Sequence, residues 1–174
     1  MDPVISHCTF IAAAPETVYD ALATAEGLNG WFTTGTEADP REGGRIVFRW
    51  HGFGVNRVDM EDHGPVLAAE RGRRFTFQWH PAGPARPTTV DIRLAPWGQG
   101  TRVELRESGY GPSDEELSAC LGCAVGWGEA LTLLKYRLEA PESYVHPCRW
   151  WEQQGAATEA EEAGSSADAP LVHV

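Results

Sequence analysis

The sequence predicts an α+β fold in which one long C-terminal helix lies against a curved antiparallel sheet, and three observations predict it. Over residues 113–138 apolar positions recur at helical spacing, with Leu117, Cys120, Leu121, Ala124, Trp127, Leu131, Leu134 and Leu138 on one stripe. At 1.5 Å per residue this segment is a rod about 37 Å long. From Thr34 onward short runs alternate apolar and polar residues between glycine and proline breaks, the pattern of antiparallel strands with one buried face. Two short helical segments precede those strands. A helix of that length gripped by a strongly curved sheet leaves a space between the two, the architecture of a protein that holds something.

The elements follow in order. Residues 5–12 form a first β-type run. It ends at Ala13-Ala14-Pro15-Glu16, where a proline suits the first turn of a helix and the glutamate favours its positive end. That helix runs over about residues 15–23, with Val18, Tyr19 and Leu22 on one face. Gly27 and Gly30 then bracket a second short helix carrying Leu28, Trp31 and Phe32. In the strand region Ile46, Phe48 and Trp50 alternate with Val47, Arg49 and His51, while Phe75, Phe77 and Trp79 alternate with Arg74, Thr76 and Gln78. Val90, Ile92 and Leu94 repeat the pattern against Asp91 and Arg93, as do Val103 and Leu105 against Arg102, Glu104 and Arg106. Residues 56–69 are interrupted by Glu61-Asp62-His63-Gly64-Pro65, which fits either a bulge or a hairpin. Residues 109–112 lead into the long helix, with Ser113 or Asp114 as its N-cap and Glu115-Glu116 on its first turn. His51-Gly52-Phe53-Gly54 is glycine-rich but lacks the lysine and the spacing of a phosphate loop, and reads as a hairpin turn.

Composition narrows the function. A chain of 174 residues fits one ordinary domain, and a domain near this length buries roughly 70% of the surface its unfolded chain exposes. No run approaches the roughly 18 consecutive apolar residues that mark a membrane span. The N-terminus carries neither a basic region nor an apolar core of a secretory signal, so the expectation is a cytoplasmic location. Net charge is −11, with six acids against one arginine over residues 142–174, leaving −6 on residues 1–141. An acidic chain of this kind is a poor match for nucleic acid, which wants a clustered basic face. The cysteines at 8, 120, 123 and 148 are too few and too uneven for a disulfide framework, and reduced thiols are expected.

Six short segments in sequence order carry a resemblance: Ala14-Pro15-Glu16-Thr17-Val18-Tyr19, Leu28-Asn29-Gly30-Trp31-Phe32, Gly43-Gly44-Arg45-Ile46-Val47-Phe48, Arg73-Arg74-Phe75-Thr76-Phe77-Gln78-Trp79, Gly100-Thr101-Arg102-Val103-Glu104-Leu105, and Gly126-Trp127 with Leu134-Lys135. In that order they resemble the START/SRPBCC superfamily, and within it the branch named after the activator of the heat-shock chaperone ATPase, over residues 5–140. Tyr19 and Phe32 stand where that branch often has tryptophan. The resemblance implies the helix-grip (START/Bet v 1-like) α+β fold: about six to seven antiparallel strands wrapped around the long helix, with two short helices after the first strand. Members of the superfamily bind lipids, sterols, hormones or polyketides and some catalyse cyclisation, so the fold alone does not supply the activity.

Residues 1–141 are therefore read as a helix-grip ligand-binding domain with a largely apolar internal cavity. Residues 142–174 are read as an acidic tail, packed near residues 144–151 by Tyr144, Trp150 and Trp151 and disordered beyond. The residues expected to line the cavity are Trp31, Phe48, Trp50, Phe77, Trp79, Ile92, Leu105, Cys123, Trp127 and Leu131. Their expected partner is a small hydrophobic or aromatic molecule, bound without cofactor or metal. Candidate polar groups are His7 and Thr9, which share parity with Ile11, and His51, Asn56 and Arg57 near hairpin ends. A cofactor-independent enzyme of the polyketide cyclase or hydratase kind would use the same cavity, with His7 as the group that moves a proton. The third reading is a co-chaperone that stimulates a chaperone ATPase through an exposed surface. A homodimer through a sheet edge or the tail is left open. Cys120-x-x-Cys123 lies two turns inside the helix, where small apolar side chains that let helix approach sheet fit better than a zinc site lacking two further ligands.

Overall fold

In the computed structural model, which describes residues 2–81, 86–150 and 152, each predicted element is present. The order is β1 (Val4–Ile11), α1 (Pro15–Ala23), α2 (Ala25–Asn29), β2 (Glu37–Ala38), β3 (Arg45–Phe53), β4 (Val58–Glu70), β5 (Arg74–Trp79), β6 (Thr88–Trp97), β7 (Gly100–Ser108) and α3 (Asp114–Glu139). Seven antiparallel strands form one curved sheet in the order β1-β7-β6-β5-β4-β3-β2. The result is the α+β helix-grip arrangement, with α3 laid along the concave side.

Local chemistry sets the boundaries. Pro15 opens α1 from Ala14, whose backbone is extended, and Ser113 caps α3 by accepting from the Glu116 N–H at 3.2 Å. Three acids on the first turn of α3 and Arg137 on its last suit the helix dipole. The interrupted segment around Gly64 belongs to one continuous strand. β4 pairs with β3 through Pro65 and with β5 from Val66, and its register with β5 shifts between Val66 and Ala68. The bulge alternative holds and the hairpin does not, because the strand changes partners at its centre and needs only a local break there.

The core is a single cluster in which Trp31, Ile46, Phe75, Ile92, Leu105 and Leu134 are almost wholly buried. Two residues of the predicted helix stripe fall outside it: Leu117 and Leu121 are exposed, as is Val125. The buried residues of α3 are Cys120, Trp127, Ala130, Leu131, Leu133 and Leu134, so its C-terminal half grips the sheet while its N-terminal half stands over the cleft described below. By length and composition α3 is apolar enough to cross a membrane. Here it lies along the sheet as a core helix, with Trp127, Leu131 and Leu134 packed beneath it.

After α3 the chain turns back. The Tyr144 hydroxyl donates to the Trp31 carbonyl at 2.5 Å, the Gly54 N–H donates to the Pro147 carbonyl at 3.2 Å, and Pro147 and Cys148 are buried in a single 3-10 turn. Trp151 and residues 153–174, on which the expectations of packing and of a disordered end partly fall, lie outside the described residues.

Candidate functional site

A cleft of about 590 Å³ opens between the middle of α3 and the strands β3, β4 and β5. Its walls are aromatic: Phe32 from the turn after α2, Trp50 and Phe53 from β3, Trp79 from β5 and Trp127 from α3. The period-two alternation that makes β3 and β5 strands also turns Trp50 and Trp79 to the concave side. Phe32 meets Trp50 edge-on at 5.2 Å and Phe53 at 6.0 Å, and Trp79 and Trp127 lie 5.3 Å apart. Aromatic pairs at these separations prefer such tilted and edge-on contacts. Among the described residues Trp50 Nε1 is buried without a hydrogen-bond partner.

Two glycines of α3 give the cleft its depth. Gly122 and Gly126, one turn apart, both line it, and a Cβ built on either meets no atom within 4 Å. Glycine inside a helix costs about 1 kcal/mol relative to alanine, and what these two positions leave is open space.

One carboxylate organises the tryptophan wall from behind. Glu107 on β7 is fully buried and accepts four hydrogen bonds: from Trp79 Nε1 at 2.9 Å, Thr88 Oγ1 at 2.6 Å and the Tyr110 hydroxyl at 2.8 Å on Oε1, and from Trp127 Nε1 at 2.6 Å on Oε2. An indole N–H can only donate, so an acceptor-only carboxylate fits all four bonds at once. Burial, above all, together with Cys123 and the Glu107 charge, pushes the Tyr110 hydroxyl far up, so it stays protonated.

The cleft's rim is acidic. Glu61 and Asp62 from β4 and Glu129 from α3 line it beside His80. Asp62 keeps only 13% of its side chain exposed. It accepts from the His63 N–H at 2.6 Å and the His80 N–H at 2.8 Å, with His80 Nδ1 at 3.8 Å. Burial raises the Asp62 carboxyl above the usual carboxylate range, against the lowering effect of those backbone donors. A raised acid favours the folded state below the ordinary carboxylate pKa, and that contribution is lost as pH rises through the raised value. Asp62→Asn is therefore expected to melt higher than the parent at pH 7, by on the order of a few degrees. The gap should close toward pH 3, where both side chains are neutral, and thermal melts across that range check it.

Of the ten side chains expected to line a cavity, Trp50, Trp79, Cys123 and Trp127 do line this cleft. Trp31, Phe48, Phe77, Ile92, Leu105 and Leu131 are buried in the packed core instead. The centre is filled because α1 packs on β5, β6 and β7 and the C-terminal half of α3 is buried in the same cluster, so the open space lies toward one end. His7 is not in the cleft: its Nε2–H donates to the Ala124 carbonyl at 3.1 Å and ties β1 to α3. His51, Asn56 and Arg57 are exposed at the β3–β4 turn, and Thr9 is half-buried on β1.

The thiol of Cys120 is pushed up by burial and by Glu107. That of Cys123 is raised by burial against a lowering hydrogen bond with Tyr110, so both stay protonated. Among the described residues no group of three or more His, Cys, Asp or Glu is placed to hold a metal ion. Sequence reading missed Glu107, Asp62 and the two glycines.

The family model described as "Activator of Hsp90 ATPase homolog 1-like protein" matches residues 12–139. The solution structure of the Aha1 dimer from Colwellia psychrerythraea is similar at 24% identity and a TM-score of 0.66, over 79% of this chain and 97% of that one. The crystal structure of protein NE0264 from Nitrosomonas europaea is similar at 22% identity and a TM-score of 0.66, over 81% and 97%. DynU16, a protein in the dynemicin biosynthetic locus, is similar at 19% identity and a TM-score of 0.68, over 87% of this chain and 51% of that one. At these identities the likeness is one of fold. No match is found among curated proteins.

Proposed function

The chain belongs to the Activator of Hsp90 ATPase homolog 1-like family, and from that premise and the cleft's own chemistry we propose that it binds a small apolar or aromatic molecule between α3 and strands β3 to β5. The observation that carries this reading is the unfilled, aromatic-walled cleft kept open by Gly122 and Gly126. A mostly apolar concavity of several hundred Å³ with a few polar groups is the usual form of a small-molecule site. Affinity would come from ligand carbon buried at about 25 cal/mol per Å².

The test is the thermal midpoint of the protein against aromatic amines, flavonoids, sterols, polyketide-like aromatics and fatty acids, since a ligand that binds only the folded state raises it. Gly126→Leu is the matched variant. Its side chain enters space where nothing lies within 4 Å of the Cβ, so it should melt slightly higher than the parent, by about 1 kcal/mol of stability, and lose the ligand shift. A panel that leaves the midpoint unmoved overturns the reading.

A second reading, proton-transfer catalysis of the cyclase or hydratase kind, is favoured by Asp62, a carboxyl at the cleft with a raised pKa. It replaces His7 in that role. A partner chain, whether a chaperone or a second copy of this one, would engage a surface instead, and Leu117, Leu121 and Val125 form an exposed apolar line along α3 for it.

A further inference from the structure

We infer that the cleft selects an apolar cation, an aromatic or alkyl amine with a protonated nitrogen, over neutral or anionic molecules of the same carbon skeleton; this rests on the cleft being a ligand site. The charged side chains lining it are of one sign. Glu61, Asp62 and Glu129 line it, and among the described residues no lysine or arginine does. Glu61 is already engaged by the Arg49 guanidinium at 2.7 Å. Asp62 has no such partner among the described residues, only the His80 ring at 3.8 Å. A carboxylate left 13% exposed beside apolar walls gains most from a counter-ion that also brings carbon to bury.

The walls suit the same charge. The faces of aromatic rings attract cations, tryptophan most strongly, and Trp50, Trp79 and Trp127 all border the cleft. Two of those indoles donate their N–H to the single buried carboxylate of Glu107, at 2.9 and 2.6 Å. Donation to an anion makes each ring more electron-rich. The carboxylate sits behind the rings with no exposed surface, where salt screens it little. The chain's net charge of −11 steers cations toward it and anions away. A fatty acid would meet each of these features with the wrong sign.

The experiment is calorimetric titration at pH 7.5 with three naphthalenes that differ in one arm, ethylammonium, hydroxyethyl or carboxyethyl, on the parent and on Asp62→Asn. The ammonium compound is expected to bind about tenfold more tightly than the alcohol, and the acid most weakly. Asp62→Asn should bring ammonium and alcohol to within about threefold of each other. An alcohol or acid that binds the parent as tightly as the ammonium compound overturns the charge selection and leaves the cleft reading standing. An ammonium preference that Asp62→Asn does not reduce overturns the assignment to Asp62. Failure of all three compounds to bind overturns both the selection and the cleft reading.

Discussion

Glu107→Gln is expected to lower stability by about 3 kcal/mol, a fall in midpoint near 10 °C, although it changes one atom and no volume. The reason is the count of donors. Trp79, Thr88 and Tyr110 all donate to one oxygen of the carboxylate and Trp127 donates to the other. A glutamine amide has one acceptor oxygen and one NH₂. Whichever way it is turned, one indole N–H faces another donor, and the two hydroxyls can rotate to accept but the indoles cannot. Glu107→Leu removes every acceptor and should cost about 5 kcal/mol or prevent folding, since four buried donors would be left unpaired. Thr88→Val removes a single bond and should cost about 1 kcal/mol. Urea unfolding orders the three, and near-UV circular dichroism reports whether Trp79 and Trp127 keep their mutual orientation. A Glu107→Gln protein within about 1 kcal/mol of the parent would mean that the carboxylate does not hold these rings.

The sheet and its helix were legible in the sequence because their signal is periodic. Alternation in residues 45–50, 74–79, 90–94 and 102–106 gave each strand its inward face, and the inward residues Ile46, Phe48, Phe75, Phe77, Val90, Ile92, Val103 and Leu105 are buried. Periodicity tells which way a side chain points, however, and not how much space it meets. Phe48 and Ile92 point inward into a filled centre, whereas Trp50 and Trp79, on the same faces, border open volume. Leu117 and Leu121 lie at the edge of the helical stripe: Cys120, between them in sequence, is buried, so it is their side of α3 that turns to solvent.

Three of the missed residues had a usable signal. Glu107 falls on the inward parity of Val103 and Leu105, and a charged residue at such a position needs a compensating network. Gly122 and Gly126 break the helix-propensity rule within a single helix, which asks for a reason in packing or function. Asp62 had none, because its burial depends on β4 changing partners beside it, a feature of tertiary geometry.

That change of partners makes Gly64 a position where even the smallest side chain should do severe damage. β4 pairs Gly64 with Ile46 of β3 and takes up β5 two residues later. A Cβ at Gly64 would lie 1.9 Å from the Gln78 carbonyl oxygen and 2.6 Å from its carbon, backbone atoms that cannot yield by rotating a side chain. Gly64→Ala must therefore push β4 away from β5. The cost is expected at about 3 kcal/mol or more. The displaced segment carries Asp62 on one strand and Trp79 on the other, so the ligand shift should be lost along with stability.

Gly54→Ala separates this clash from backbone strain. Gly54 has φ of 67° and nothing within 4 Å of a Cβ, so the substitution should cost only about 1 kcal/mol. Gly122→Ala, in a helix and facing open space, should raise stability by about 1 kcal/mol. Thermal melts of the three variants would thus give a large loss, a small loss and a gain from the same added methyl group. A Gly64→Ala protein that melts with the Gly54→Ala variant would mean that β4 and β5 do not approach this closely, and the bend that brings Asp62 to the cleft would have to be drawn differently.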